Sequence, residues 1–237
     1  MRRSISIIIP AFNEAKRLPA TLERVRDYLS VARWDFAEIV VVDDGSRDGT
    51  ADVARTAGVR VLENPGNRGK GYSVRRGMLE AKGDWALFSD ADLSAPIEEL
   101  DKLWAAAEQK GLRVAIGSRA VDRSLVGVHQ PAFREAMGRI FNLAMRLATG
   151  LPYRDTQCGF KLFEAGAARE VFRRQRLDGF GFDVEVLFIA RRLRYPAAEV
   201  AVRWNNAEGT TVSMWRGVMA FLDPLKVRWN GLLGRYH

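Results

Sequence analysis

Apolar residues in the first half of the chain fall into short bounded runs separated by polar turns. Ser4–Pro10 (S-I-S-I-I-I-P) predicts a first strand, with Ala11–Glu14 as the loop after it. Leu18, Leu22, Val25 and Leu29 then recur at helical spacing. Glu38–Val42 predicts a second strand, which ends in Asp43-Asp44-Gly45-Ser46. Asp48 or Thr50 can start a helix over Ala51–Ala57, and Val59–Leu62 reads as a third strand. The loop Asn64–Gly71 (N-P-G-N-R-G-K-G) leads into a helix around Tyr72–Ala81. Trp85–Ser89 is a fourth strand, Pro96–Lys110 a helix, Arg113–Gly117 a fifth strand, and Phe182–Leu193 a later helix. Strands alternating with helices predict an α/β fold with a mainly parallel sheet covered on both faces.

The tail has a different pattern. Over Ser213–Tyr236, Trp215, Val218, Met219, Phe221 and Leu222 precede Pro224; Leu225, Val227, Trp229, Leu232 and Leu233 follow it. Arg216, Lys226, Arg228 and Arg235 interleave with them. Such an amphipathic segment suits a membrane interface, and equally a helix packed on the domain or on a second subunit in a homodimer.

Composition narrows the class. The chain has 237 residues, 47% hydrophobic and 28% charged, as expected of a globular protein with a sizeable core. No apolar run approaches the ~20 residues of a spanning helix. The N-terminal run is too short for a signal peptide and is interrupted by Pro10. A single cysteine, Cys158, excludes an internal disulfide framework and a cysteine-based zinc site, and is read as packing. With two histidines, His129 and His237, a Ser-His triad is improbable. These features point to the cytoplasm, with peripheral contact at the cytoplasmic face of a membrane. The net charge of +8 is unevenly placed: residues 111–237 hold 20 Lys/Arg against 11 Asp/Glu. An arginine-rich half fits nucleic acid, an anionic membrane face or a phosphorylated substrate. No helix-turn-helix, zinc or RNA-binding pattern supports nucleic acid, so none is expected.

In doubly covered parallel sheets, ligands bind beyond the carboxyl ends of the strands. Polar chemistry sits at those ends here: P-A-F-N-E, D-D-G-S, D-A-D and G-S-R. Asp43 and Asp44 can accept hydrogen bonds from a base or a ribose hydroxyl. Asp90 and Asp92 lie two apart at a strand end, so both can meet one cation, and hard oxygen ligands suit Mg²⁺ or Mn²⁺ against a diphosphate. Neither a G-x-x-x-x-G-K-[ST] phosphate loop nor a G-x-G-x-x-G after the first strand is present. The pattern is that of a nucleotide-sugar site.

The segments P-A-F-N-E, V-V-D-D-G-S-R-D-G-T, N-R-G-K-G, D-A-D-L-S and G-S-R resemble the family-2 inverting glycosyltransferases of GT-A fold. D-T-Q-C-G-F-K-L-F (Asp155–Phe163), G-F-G-F-D-V-E-V-L (Gly179–Leu187) and V-R-W-N (Val202–Asn205) resemble their dolichyl- or polyprenyl-phosphate glucosyltransferase branch. The resemblance spans about residues 4–230. It implies a catalytic domain over 1–212, with a nucleotide-binding half to about 117 and an acceptor half over 118–212; residues 213–237 follow as the amphipathic segment. It also implies that Pro10, Phe12 and Glu14 line the base and ribose pocket, with Asp43 and Asp44 at its floor. Lys70 and Gly71 lie near the nucleotide, Asp90 touches ribose or metal, and Asp92 ligates the metal. Ser94 stands where the mannosyl-transferring branch has glutamine, and E-G-T-T-V-S (Glu208–Ser213) replaces that branch's basic G-x-S-K; both favour UDP-glucose as donor over GDP-mannose.

A lipid phosphate acceptor is already an anion near neutrality, since the second pKa of a phosphate monoester is ~6. It requires orientation and charge compensation rather than a strong base. Arg119, Arg134, Arg139 and Lys161 are the candidates for gripping it. Asp155 is the base or positioning carboxylate, Glu185 a weaker alternative that could instead pair with Lys161, and His129 a loop residue that reads as a surface histidine rather than an acceptor contact. The expected activity is inverting transfer of glucose to a polyprenyl phosphate. A soluble acceptor and a non-catalytic nucleotide-sugar or nucleic-acid binding protein are the alternatives.

Overall fold

The computed structural model of the protein describes residues 3–32, 34–127, 146–205 and 223–237. Arg134, Arg139, His129, the 208–213 stretch and the tail up to Leu222 lie outside the described residues.

Five strands stand where the apolar runs predict them: β1 (Ser4–Ala11), β2 (Phe36–Asp43), β3 (Arg60–Glu63), β4 (Trp85–Ser89) and β5 (Val114–Ser118). Between them run α1 (Leu18–Val31), α2 (Thr50–Thr56), α3 (Lys70–Glu80) and α4 (Leu100–Lys110). Leu18, Leu22 and Val25 form the buried face of α1, as their spacing requires. The later chain adds β6 (Phe160–Glu164), α5 (Ala165–Arg174), α6 (Phe182–Arg192), β7 (Ala197–Ala201) and α7 (Asp223–Leu232). β6, β7 and α5 have no counterpart in the sequence reading.

The seven strands form one sheet in the order β3-β2-β1-β4-β6-β5-β7. All neighbours are parallel except β6, which runs antiparallel to both β4 and β5. Phe160 and Leu162 face a core shared with Ile7, Leu87 and the apolar sides of α1 and α4. Phe163 faces the opposite core with Ile8, Phe88, Phe172 and Phe182. The alternation along β6 is thus the ordinary period-two pattern, with Lys161 on the face where an apolar residue is expected. Because β6 is wedged between β4 and β5, the D-T-Q-C-G segment before it lies directly beside the D-A-D turn after β4.

The tail helix α7 packs on α6. Val227 and Tyr236 enter the core, and the Tyr236 hydroxyl donates to Glu185 at 2.7 Å. No helix among the described residues is long and apolar enough to cross a membrane.

Candidate active site

The loops after β1 and β2 are tied together by their own polar side chains. Asn13 N–H donates to Ser46 Oγ at 2.9 Å, Glu14 N–H to Thr50 Oγ1 at 2.8 Å, and Ala15 N–H to Asp48 Oδ2 at 3.0 Å. Phe12 stands out from this rim, 41% exposed, and Pro10 lies near the end of the strand before it. The Glu14 carboxylate is held by Arg17 at 2.8 Å. Burial nevertheless raises its pKa against the opposing pull of Arg17, and the charge of Asp92 adds to the rise.

The two aspartates after β2 have different jobs. Asp44 accepts from Asn64 Nδ2 at 2.8 Å, Arg68 N–H at 2.9 Å and Gly69 N–H at 2.8 Å, so it fixes the N-P-G-N-R-G loop rather than presenting a bare oxygen to a ligand. Asp43 accepts from Ser46 N–H at 3.1 Å through Oδ2, while its Oδ1 is buried with no hydrogen-bond partner. A buried acceptor without a donor is costly, and a ligand N–H or O–H removes that cost.

α3 begins at Lys70, two residues before the predicted Tyr72, and this puts the Lys70 side chain on the site. Its ammonium lies 2.5 Å from Asp90 Oδ1. Burial would depress the Lys70 pKa, but the charges of Asp90 and Asp183 overcome it and raise it. Gly71, the next residue, is buried against the 177–179 backbone; a Cβ there would meet Leu177 O at 2.6 Å. Asp92 lies one turn beyond Asp90, its Oδ1 accepting Ser94 N–H at 2.9 Å, with Leu93 at φ 47° closing the turn. Asp90 N–H donates to Gly159 O at 3.2 Å, and a Cβ on Gly159 would lie 2.6 Å from Asp90 Oδ1. Glycine is therefore required in D-T-Q-C-G because the Asp90 carboxylate occupies the space a side chain would take. Among the described residues no group of three His, Cys, Asp or Glu could by itself hold a metal ion.

On the other side of Gly159, Asp155 and Arg119 form a bidentate pair, Nε to Oδ2 at 2.6 Å and Nη2 to Oδ1 at 2.9 Å. Arg119 N–H and Gln157 N–H also donate to Asp155, at 3.0 and 3.1 Å. Burial would raise the Asp155 pKa, yet Arg119 and these hydrogen bonds hold it down to about 2. An acid so firmly ionised and so fully bonded is a positioning group, not a proton acceptor. It holds Arg119 with its plane over the Trp204 ring, 4.8 Å from the centroid and one-third exposed.

Two expected residues are not at an acceptor surface. Lys161 is 0% exposed; its ammonium donates to Cys158 O at 2.6 Å and to Asp183, and lies over the Phe88 ring. It has no access to a phosphate, and it pairs with Asp183 rather than Glu185. Glu185 accepts from Arg176 N–H, Leu177 N–H and the Tyr236 hydroxyl, and so anchors the tail to α6. Cys158 is buried packing, with burial pushing its thiol up to about 12.

Asp183 and Glu199 were missed by sequence reading. Asp183 neutralises Lys161 and acts on Lys70 from the start of α6. Glu199, on β7, accepts from Arg154 N–H, Asp155 N–H and the Ser118 hydroxyl, and so fixes the turn that carries Asp155. The signal for Asp183 is the pair of acids, Asp183 and Glu185, inside the apolar F-G-F-D-V-E-V-L run, since a buried carboxylate needs a cation or several hydrogen-bond donors.

The profile of glycosyl transferase family 2 matches residues 6–172. The chain belongs to that family. Among its relatives, the dolichyl-phosphate beta-glucosyltransferase of Drosophila melanogaster is 39% identical over 98% of this chain and 76% of its own length. The Homo sapiens protein of the same name is 34% identical over 99% of this chain and 78% of its own. Solved structures of glycosyltransferases confirm the GT-A fold. Glucosyl-3-phosphoglycerate synthase from Mycobacterium tuberculosis, in complex with Mn²⁺, UDP and glucosyl-3-phosphoglycerate, superposes with a TM-score of 0.69 at 20% identity, covering 98% of this chain and 80% of that one. Mannosyl-3-phosphoglycerate synthase from Rubrobacter xylanophilus gives 0.73 at 18% identity over 98% of this chain and 75% of its own. As a family 2 protein with this fold, the chain has its D-x-D turn and Asp43 on the same rim of the sheet.

Proposed function

We propose that the protein transfers glucose from UDP-glucose to a polyprenyl or dolichyl phosphate, with inversion. The observation that carries this reading is the near full-length likeness to relatives named dolichyl-phosphate beta-glucosyltransferase. The geometry supports the donor half. The unpartnered Asp43 Oδ1 suits a base or ribose donor group, and the Asp90–Asp92 turn suits the diphosphate end.

Asp90 and Asp92 would hold a Mg²⁺ or Mn²⁺ ion. Two hard carboxylates fit an ion that takes its remaining ligands from substrate phosphates and water, as expected where no third acid among the described residues completes the cluster. When bound, the ion supplies positive charge against the nucleoside diphosphate leaving group. Lys70 adds a cation on the same side. Arg119, locked by Asp155, compensates and orients the acceptor phosphate. An acceptor oxygen attacks the anomeric carbon, the bond from that carbon to the diphosphate oxygen breaks, and UDP departs from the opposite face. An α-linked donor thus yields a β-linked lipid phosphate, and the attacking oxygen is already ionised, so no buried base is needed. A lipid acceptor brings the protein to a membrane as a peripheral partner.

The test is incubation with radiolabelled UDP-glucose, Mg²⁺ or Mn²⁺ and a polyprenyl phosphate, followed by extraction into organic solvent. Label is expected in the lipid phase with wild type and to be lost in Asp92→Asn. Label that stays in the aqueous phase throughout overturns the reading.

A further inference from the structure

We propose that the outward face of α7 docks the protein on an anionic lipid bilayer. This rests on the lipid-phosphate reading above and names the surface through which such an acceptor is met.

One face of α7 is accounted for by the domain. Pro224, Val227, Asn230 and Gly231 are buried, and Arg192 donates to Gly231 O at 2.8 Å. The opposite face is apolar as well: Leu225 is 60% exposed, Trp229 61%, Leu232 70%, and Leu233 just beyond the helix 49%. Leu225, Trp229 and Leu232 follow one another at spacings of four and three, so they share a stripe. Of the nine large apolar side chains exposed among the described residues, four fall within 225–233, so this is a patch rather than scatter. Packing on α6 explains the inner face, and no described residue covers the outer one.

Charge identifies the occupant. Lys226 and Arg228 follow and precede residues of the stripe and are both exposed, and Arg235 lies exposed just after it. The single acid of residues 223–237, Asp223, lies against Gly181, where a Cβ would meet its Cγ at 2.6 Å, and pairs with Lys226 at 3.1 Å. Leucine and tryptophan bordered by lysine and arginine fit the boundary between acyl chains and anionic headgroups, with the basic side chains reaching the phosphates. A symmetric contact with a second copy would bring the same cations face to face, which opposes association.

The experiment uses the whole chain and vesicles of phosphatidylcholine with and without phosphatidylglycerol, read by flotation. Wild type is expected to float with the anionic vesicles. The double variant Leu225→Ser/Trp229→Ser should lower partition about tenfold or more, and Arg228→Glu should lower it on anionic vesicles alone. UDP affinity by calorimetry should be unchanged in both, which verifies the fold. Wild type that floats with neither vesicle overturns the proposal, as does a double variant that partitions like wild type. A double variant that only dissociates a dimer, with partition unchanged, assigns the face to a second copy and also overturns it. Transfer to a short-chain, water-soluble prenyl phosphate separates the two readings. Transfer without vesicle binding sinks the docking surface alone, whereas vesicle binding with no transfer to any prenyl phosphate sinks the acceptor reading alone.

Discussion

In the proposed reaction Asp155 acts through Arg119. Every bond it forms favours the ionised state, and the Arg119 side chain it holds is one-third exposed. Asp155→Asn should therefore lower glucosyl transfer ~100-fold through misplacement of Arg119, while UDP affinity by calorimetry stays within about twofold. A drop in UDP affinity as large as the drop in rate would contradict this. Lys70 faces Asp90 at 2.5 Å and so occupies a carboxylate that the proposed cation would also use. Lys70→Met should tighten binding of Mn²⁺ alone several-fold, measured by electron paramagnetic resonance, yet weaken binding of UDP with Mn²⁺. Equal effects of one sign on both would show that Lys70 does not compete with the ion. Cys158 is fully buried with its thiol pushed up to about 12, so alkylation at pH 8 should proceed only at the rate of unfolding.

At the scale of elements, β6 brings the two halves of the site together. Antiparallel pairing with β4 sets Phe160 opposite Ser89, and the chain just before it delivers Gly159 to Asp90. Gly159→Ala would push its Cβ into the Asp90 carboxylate. The expected result is at least tenfold weaker binding of UDP with Mn²⁺, with a loss of folding stability of ~1–3 kcal/mol, as for other overpacked positions. Unchanged nucleotide–metal affinity in a folded variant would mean that Asp90 has another place to go. β6 escaped sequence reading because a lysine interrupts its apolar alternation. That lysine is tolerated inside only because α6, 22 residues on, supplies Asp183.

For the molecule as a whole, these buried charges set the response to acid. Asp155 is held down to about 2 from an ordinary 3.8, so the folded state binds fewer protons than the unfolded chain between those values. Its contribution, on the order of 2 kcal/mol, is present above pH ~4 and lost as pH falls toward 2. Asp183 and Glu185 are raised by burial and act in the opposite sense: their folded forms hold protons longer, so they favour the native state less as pH rises through their upper titration range. Urea unfolding of wild type and Asp155→Asn across pH 2–6 should show the stability gap closing at the acid end. A gap independent of pH would remove Asp155 from the account.

The sequence by itself determined the five strands β1 to β5, the four helices among them, the polar loops at their carboxyl ends and the D-x-D turn. Those features depend on local periodicity and turn chemistry, which neighbouring residues carry. Resemblance of motifs added the family. Only the tertiary structure decided that Asp44 holds a loop while Asp43 keeps a bare oxygen, that Lys161 is neutralised in the core, that Glu185 anchors the tail, and that α7 is apolar on both faces. A residue's spacing reports which way it points. Its partner is set by which distant segments the sheet order brings into contact, and for a charged side chain the partner decides whether it serves the site or the core.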